Sequence, residues 1–175
     1  HWRQIELPLS SRQLIDFLEE VEEQLQQNIT LAAAGGTAMT LYRLKPSTID
    51  VDFTGPGKDI DLFRRAVRLV QPGFKVDTWP NGQVFSQFLP PDYLRKSKPI
   101  KAHLQSIKLK ALQPLDIVVT KLGRLDERDF DDVMACIEEF KLSKRMIIRR
   151  ARQVHYVGNE RVSEQNLRSV TSSRG

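Results

Sequence analysis

Two short stretches of sequence decide the fold: TLAAAGGTAM at residues 30–39 and TIDVDF at residues 48–53. The first is an apolar run that ends in Gly35 and Gly36, which predicts a buried strand followed by a tight turn. Thr37, directly after the glycines, can cap a short helix over residues 38–44. The expected order is therefore a strand, a Gly-Gly-Thr turn, a short helix and a second strand.

The TIDVDF stretch alternates apolar and acidic side chains, which is the period of a half-buried strand. Ile49, Val51 and Phe53 are expected to face the core, so Asp50 and Asp52 should project together from the other face. Carboxylates placed in this way repel each other unless a cation or water screens them. Hard divalent cations such as Mg²⁺ prefer carboxylate oxygens and usually keep water and substrate phosphates as further ligands. The pair is a candidate metal site, and a solvated strand edge is the alternative.

The glycine pair has two interpretations as well. It can be no more than a tight turn, or it can let backbone amides approach a phosphate where a helix begins. The order of the two features favours the functional interpretation, because the carboxylate pair follows the turn after one short helix.

The rest of the chain predicts an α+β protein, with a small mixed sheet, flanking helices and a helical C-terminal portion. A first helix, capped at Ser10 or Ser11, is expected to cover the core. The other expected helices span residues 59–70, 115–125, 130–140 and 143–154. Further strands are expected over residues 74–79, 83–89 and 107–111, and Asn81-Gly82 predicts a hairpin turn between the first two of these.

Composition excludes several classes of protein. No apolar run approaches the roughly 20 residues of a membrane-spanning helix. Cys136 is the only cysteine of the 175 residues, so it cannot form an internal disulfide, and a Cys-rich zinc site is excluded. We therefore expect a cytoplasmic protein without membrane association.

Positive charge is concentrated in two places. Residues 141–175 contain nine basic and two acidic residues, a net charge of +7 in a chain whose total is +5. A second stretch, from Arg95 to Lys110, has six Lys or Arg and no acidic residue. Such clusters suit phosphates or acidic partners, and solvated surface is the alternative.

The motifs resemble the signature of the nucleotidyltransferase superfamily. The segments concerned are AGGTAM at residues 34–39 and TIDVDF at residues 48–53. They are most similar to those of its small prokaryotic branch, the minimal nucleotidyltransferases and the AbiEii-type toxins. LDIVVTKL at residues 115–122 and RDFDDV at residues 128–133 are similar to two later helices of that branch. The resemblance spans about residues 31–140.

This resemblance implies a nucleotidyltransferase fold with four parts. They are a covering N-terminal helix over residues 1–28, a nucleotidyltransferase core over residues 29–112, C-terminal helices packed on the core over residues 113–157, and a basic polar tail over residues 158–175. It also implies an enzyme that moves a nucleoside monophosphate from a nucleoside triphosphate to a hydroxyl of RNA, protein or a small molecule. A toxin paired with an antitoxin is one such enzyme.

The resemblance also implies roles for individual residues. Asp50 and Asp52 would hold Mg²⁺ or Mn²⁺, and the residues from Gly35 to Thr37 (Gly35, Gly36 and Thr37) would line the triphosphate. Lys121 would project toward the phosphates or the attacking group, although a surface lysine is the alternative. Supporting roles fall to Thr48, Arg128 and Asp129. Asp129 would hold Lys121 or Arg128, or else cap its helix.

One feature departs from the pattern of active members, which usually carry a third carboxylate on a later strand. The predicted strand over residues 83–89 has no acidic residue, and Asp77 is the nearest substitute. A catalytically silent member of the fold that binds nucleotide, RNA or a protein partner is therefore the alternative function. An unrelated small α/β protein with accidental motifs is a third.

Overall fold

The computed structural model describes residues 5–85, 87–158 and 160–172. These residues form two compact units. The first contains the chain up to Asn81 together with Ser97–Ala111, and the second contains Gly82–Lys96 and the chain from Leu112 onward.

The first unit contains ten of the regular elements found among the described residues. In chain order they are β1 (Leu9–Ser10), α1 (Ser11–Glu22), β2 (Ile29–Ala33), α2 (Gly35–Leu41), β3 (Ser47–Thr48), β4 (Val51–Gly55), α3 (Gly57–Val70) and β5 (Val76–Pro80), followed after an excursion by β8 (Lys98–Pro99) and β9 (Ile107–Ala111). The excursion belongs to the second unit, whose elements are β6 (Gln83–Val84), β7 (Gln87–Phe88), α4 (Tyr93–Lys96), α5 (Pro114–Thr120), α6 (Glu127–Phe140), α7 (Lys144–Ala151), β10 (His155–Tyr156) and α8 (Glu160–Ser172).

A five-stranded mixed sheet is the centre of the first unit. Its strand order is β5-β4-β2-β9-β8, with β2 parallel to β9, β4 parallel to β5, and β2 antiparallel to β4. Apolar residues of one face pack on α3, where the rings of Phe53 and Phe63 meet edge to face at 5.3 Å. The predicted α+β fold with a small mixed sheet and flanking helices is confirmed.

The covering helix α1 follows from its local sequence. Ser10 and Gln13 form a capping box, in which each side chain accepts a hydrogen bond from the other residue's backbone N–H. The apolar stripe of α1 is buried, and Phe17 packs edge to face against Phe74 at 5.2 Å. The helix begins where the sequence predicted.

The predicted hairpin at Asn81-Gly82 is wrong. Both residues have the positive φ that such a turn requires, 55° and 80°. However, β5 pairs with β4 in the five-stranded sheet, whereas β6 pairs with β7 in a separate three-stranded sheet. β5 lies at the edge of its sheet and pairs there with β4, whereas the chain after the turn joins the other sheet. The turn therefore connects two sheets instead of two neighbouring strands.

Helices dominate the second unit, as predicted for the C-terminal portion. Its three-stranded sheet has the order β10-β7-β6. Arg150 of α7 is buried against Asp116 of α5, with both oxygens of the carboxylate bonded at 2.7 and 3.0 Å. Within the described residues no helix combines the length and apolar character that spanning a membrane requires.

Candidate functional site

The glycine pair lies at the junction of β2 and α2. α2 begins at Gly35 itself, with Ala34 as an N-cap that makes no side-chain hydrogen bond to the helix. Gly35 has a φ of 51°, in the left-handed region that glycine tolerates best. The expectation that Thr37 caps this helix is wrong, because Thr37 lies inside α2 and its hydroxyl bonds to another segment of the chain.

The Thr37 hydroxyl joins α2 to the acidic motif. It donates a hydrogen bond to the carbonyl oxygen of Asp50 at 2.8 Å and accepts one from the backbone N–H of Asp52 at 2.9 Å. The hydroxyl of Thr48 also donates to the Asp50 carbonyl, at 2.8 Å. The backbone N–H of Ala34 donates to the carbonyl oxygen of Asp52 at 3.0 Å. These bonds fix the backbone of the acidic motif against the glycine junction.

Gly36 packs directly on Thr48. A Cβ atom added at Gly36 would lie 2.7 Å from Thr48 Oγ1, which is closer than nonbonded atoms normally approach. The same oxygen accepts a hydrogen bond from the Asp50 N–H at 3.2 Å. A side chain at Gly36 would therefore push on the group that holds Asp50 in place.

The motif enters its strand later than the sequence suggested. β4 begins at Val51, so half-buried Asp50 lies just before it. Ile49 is 51% exposed, and the expectation that it faces the core is wrong. Val51 and Phe53 are buried as expected, but Asp52 is buried too, at 2% exposure. β4 is an interior strand whose residues are all buried, so it is not half-buried.

β5 brings another carboxylate beside the motif. In the parallel ladder Asp52 is paired with Asp77, and residues paired across a ladder project from the same face of the sheet. The Asp77 side chain is 36% exposed and forms a salt bridge with Lys75 at 3.2 Å. The sequence identified Asp77 as the substitute for a third carboxylate but could not set its register.

The same face of the sheet carries positive charge two strands away. The ladders place Ala32 beside Thr54 and Lys110 beside Ala32. Because alternate residues share a face, Lys108 and Lys110 lie on the face of Asp52. Burial lowers the pKa of the Lys110 ammonium, and the neighbouring Lys108 lowers it further. Carboxylates and ammonium groups thus share a face, which suits a cation and a polyphosphate.

The carboxylates suit Mg²⁺ together with ligands from a substrate. Among the residues that the structure describes, no group of three or more His, Cys, Asp or Glu side chains is arranged to hold a metal ion. Mg²⁺ is usually held in proteins by one or two carboxylates, with substrate phosphates and water as the other ligands. Asp50 and Asp52 are therefore the candidate protein ligands of a divalent cation.

The lysine singled out by the resemblance lies in the second unit. Lys121 directly follows α5 and is 3% exposed, so the alternative of a surface lysine is wrong. Its Nζ lies 2.5 Å from Asp129 Oδ1 and 3.9 Å from Asp132 Oδ2. Arg124 approaches the other oxygen of Asp129 at 3.5 Å. Buried Lys121 therefore forms ion pairs with two carboxylates, those of Asp129 and Asp132.

Asp126, and not Asp129, caps α6. Its side chain accepts a hydrogen bond from the Asp129 N–H at 2.8 Å, and this bond holds the pKa of the Asp126 carboxyl below its usual range. Arg128 is exposed in the first turn of the same helix.

The residues predicted from the sequence fall in both units. Gly35, Gly36, Thr37, Thr48, Asp50, Asp52 and Asp77 belong to the first, and Lys121, Arg128 and Asp129 to the second.

Two residues near the predicted ones were not identified as site residues from the sequence. Lys110 had a signal, because it alternates with apolar residues along β9 just as Asp52 does along β4. Phe85 had none. It has a φ of 51°, and the guanidinium of Arg124 lies over its ring, 3.9 Å from the centroid.

The chain matches the model of a known protein family. A family model described as "Nucleotidyltransferase of unknown function (DUF6036)" matches residues 12–169. No curated protein matches the chain, and no solved structure matches it.

Proposed function

Because the chain belongs to the DUF6036 family of nucleotidyltransferases, we propose that it transfers a nucleoside monophosphate from a nucleoside triphosphate to a hydroxyl acceptor, with Mg²⁺ or Mn²⁺ as cofactor. The acceptor hydroxyl oxygen forms a bond to the α-phosphorus, and the bond from that phosphorus to the oxygen bridging to the β-phosphate breaks. Pyrophosphate leaves, and the hydroxyl proton passes to a base or to solvent.

The observation that carries the proposal is the set of hydrogen bonds that fixes the acidic motif beside the glycine pair. Hydroxyls of Thr37 and Thr48 hold the Asp50 carbonyl, and Thr37 also holds the Asp52 N–H. Phosphoryl transfer depends mainly on positioning and on stabilising charge. A backbone fixed by side-chain hydrogen bonds supplies the positioning.

In this proposal Asp50 and Asp52 hold the divalent cation, and Asp77 stands beside Asp52 as the third carboxylate. A divalent cation bound there would neutralise phosphate charge as the α-phosphorus is attacked. Gly35 and Gly36 offer backbone amides to the triphosphate. Thr37 acts by positioning, since its single hydroxyl hydrogen is already donated to Asp50.

The second candidate function is a silent member of the family that binds nucleotide, RNA or a protein partner. It is favoured by the lack, among the described residues, of three acidic or other ligating side chains gathered around one point. RNA, a protein and a small molecule remain the candidate acceptors, and an antitoxin is a candidate partner. The similarity to AbiEii-type toxins rests on the quoted motifs.

Calorimetry and a transfer assay test the proposal. The chain is titrated with each nucleoside triphosphate with and without Mg²⁺, and is then incubated with α-labelled triphosphates and cell extract. We expect Mg²⁺ to strengthen binding, and the Asp50→Asn, Asp52→Asn double variant to lose this gain and all transfer. Asp61→Asn is the matched control, because Asp61 is an exposed acid of the same unit. Equal affinity with and without Mg²⁺ would contradict the metal role.

Transfer by the unmodified chain separates the two candidate functions, and the variant Asp77→Asn tests whether Asp77 belongs to the site. Groups that act as a unit fail together, so in an enzyme Asp77→Asn should reduce transfer as far as Asp50→Asn does. If the unmodified chain binds nucleotide and labels no acceptor in the extract, the silent binder is the better assignment.

A further inference from the structure

Helix α7 has two faces of different chemistry. Its inner face is buried and includes Ile147, Arg150 and Ala151. Its outer face carries Lys144, Arg145 and Arg149, all exposed, and Arg152 continues this face just beyond the helix. We call these four residues the α7 cationic face.

The inner charge of α7 is neutralised within the fold. Arg150 is 4% exposed, and its guanidinium forms two bonds to Asp116 and a salt bridge to Asp92 at 3.0 Å. Asp116 is fully buried. This bidentate pair fixes the orientation of α7, so the outer cations are presented on a rigid element.

The positive charge of the α7 cationic face is not neutralised by salt bridges of the described residues. Within the described residues, none of the four cations of the α7 cationic face forms a salt bridge, although several other surface cations do. α7 contains no acidic residue. The acids on the neighbouring element that face this region are Glu160 and Glu164 of α8, which line a cavity of about 560 Å³ together with Lys144 and Arg152.

A second groove is formed by the α7 segment itself. It has a volume of about 760 Å³ and contains no acid, its lining being Lys144, Arg145, Ile148, Arg149, Arg152 and Gln153. The spacing of the cations at helical period places them on one side of the helix. At 1.5 Å per residue, Lys144 and Arg152 are about 12 Å apart along the axis, so the face is long enough to contact more than one phosphate of a strand.

The placement of two cations works against helix stability. Lys144 and Arg145 are the first two residues of α7, after the Ser143 N-cap. The helix macrodipole disfavours cations in the first turn of a helix. A phosphate bound there would reverse this effect, since both the cations and the dipole attract it. Local choices that oppose stability are expected at functional positions.

We propose that the α7 cationic face binds the phosphodiester backbone of a nucleic acid. Guanidinium groups suit phosphates because their fork of N–H donors matches two phosphate oxygens. Protein interfaces instead centre on a buried apolar or aromatic cluster, whereas the groove offers only Ile148 among four cations. Binding here does not depend on the proposed transferase activity and can be measured without turnover.

The test compares two triple variants of the whole chain that remove the same charges. One replaces Lys144, Arg145 and Arg149 with glutamine. The control replaces Lys58, Arg65 and Arg68 of α3, which are also one lysine and two arginines, all exposed. Binding of fluorescent single-stranded RNA, single-stranded DNA of the same sequence, and polyglutamate is followed by anisotropy over a range of salt concentrations. Circular dichroism verifies that both variants are folded.

We expect nucleic acid to bind the unmodified chain and the α3 variant alike. The α7 variant should bind about 100-fold more weakly at about 0.1 M salt. The plot of log affinity against log salt has a negative slope, and its magnitude should decrease by about 2, because three contacts are lost and each contributes about 0.7. The RNA and DNA arms show which nucleic acid is preferred. Equal loss in both variants, absence of nucleic acid binding, or stronger α7-dependent binding of polyglutamate would overturn the proposal.

Discussion

Replacing Thr37 with valine removes the hydroxyl that joins α2 to the acidic motif while nearly preserving side-chain volume. Thr37 is fully buried. The Asp50 carbonyl loses one of two hydroxyl donors, which costs about 1 kcal/mol. The Asp52 N–H loses its acceptor inside a buried strand, which costs about 1–3 kcal/mol. We therefore expect a loss of about 2–4 kcal/mol, or about 5–15 °C in Tm for a chain of this size.

Thr40 provides the matched control. It lies in the same helix, is 1% exposed, and donates its hydroxyl to the Gly36 carbonyl at 2.8 Å. That carbonyl also accepts the ordinary helical hydrogen bond, so Thr40→Val should cost only about 1 kcal/mol. Thr37→Ser keeps the hydroxyl and should retain most of the function of the site.

The assay combines thermal unfolding with calorimetry of Mg²⁺-nucleotide binding for the three variants. Thr37→Val should weaken binding, because the backbone between Asp50 and Asp52 is no longer held against the glycine junction. Thr40→Val should leave binding unchanged. If Thr37→Val is no more destabilising than Thr40→Val and binds Mg²⁺-nucleotide normally, the positioning role of Thr37 is wrong.

Two further predictions concern the second unit. Arg150→Met leaves the buried Asp116 carboxylate without its partner and should destabilise by about 3–5 kcal/mol in urea unfolding at neutral pH. Burial already raises the pKa of Asp116, against the opposing effect of Arg150. Without Arg150 it should rise further, so the folded state binds more protons and the variant should lose stability as pH rises from 5 to 8; a pH-independent loss would contradict this. Burial also raises the pKa of Cys136 to about 12, which leaves about one thiol in ten thousand ionised at pH 8. Iodoacetamide should therefore label Cys136 only as fast as the chain opens, and labelling as rapid as in urea would show that the thiol is accessible in the folded state.

The sequence alone determined features that depend on the side-chain period and on the residues that begin or end an element. Ser10 predicted the start of α1, and the strand expected over residues 107–111 is β9. A strand, a glycine turn, a short helix and a second strand were expected in that order, and β2, α2 and β4 occur in it. Such features are local, because backbone conformation and the side-chain period depend mainly on adjacent residues.

Tertiary structure decided which groups meet. The pairing of Asp52 with Asp77 depends on the parallel crossover through α3, and the bond between Arg150 and Asp116 joins residues 34 positions apart. Asn81-Gly82 took the expected turn conformation but joined two different sheets. Thr37 was expected to be a cap from its position, yet its hydroxyl bonds to the backbone of Asp50 and Asp52 on the neighbouring segment. A short motif specifies conformation, whereas the partner of a strand, hydroxyl or buried charge is set by free energies of packing summed over the whole unit.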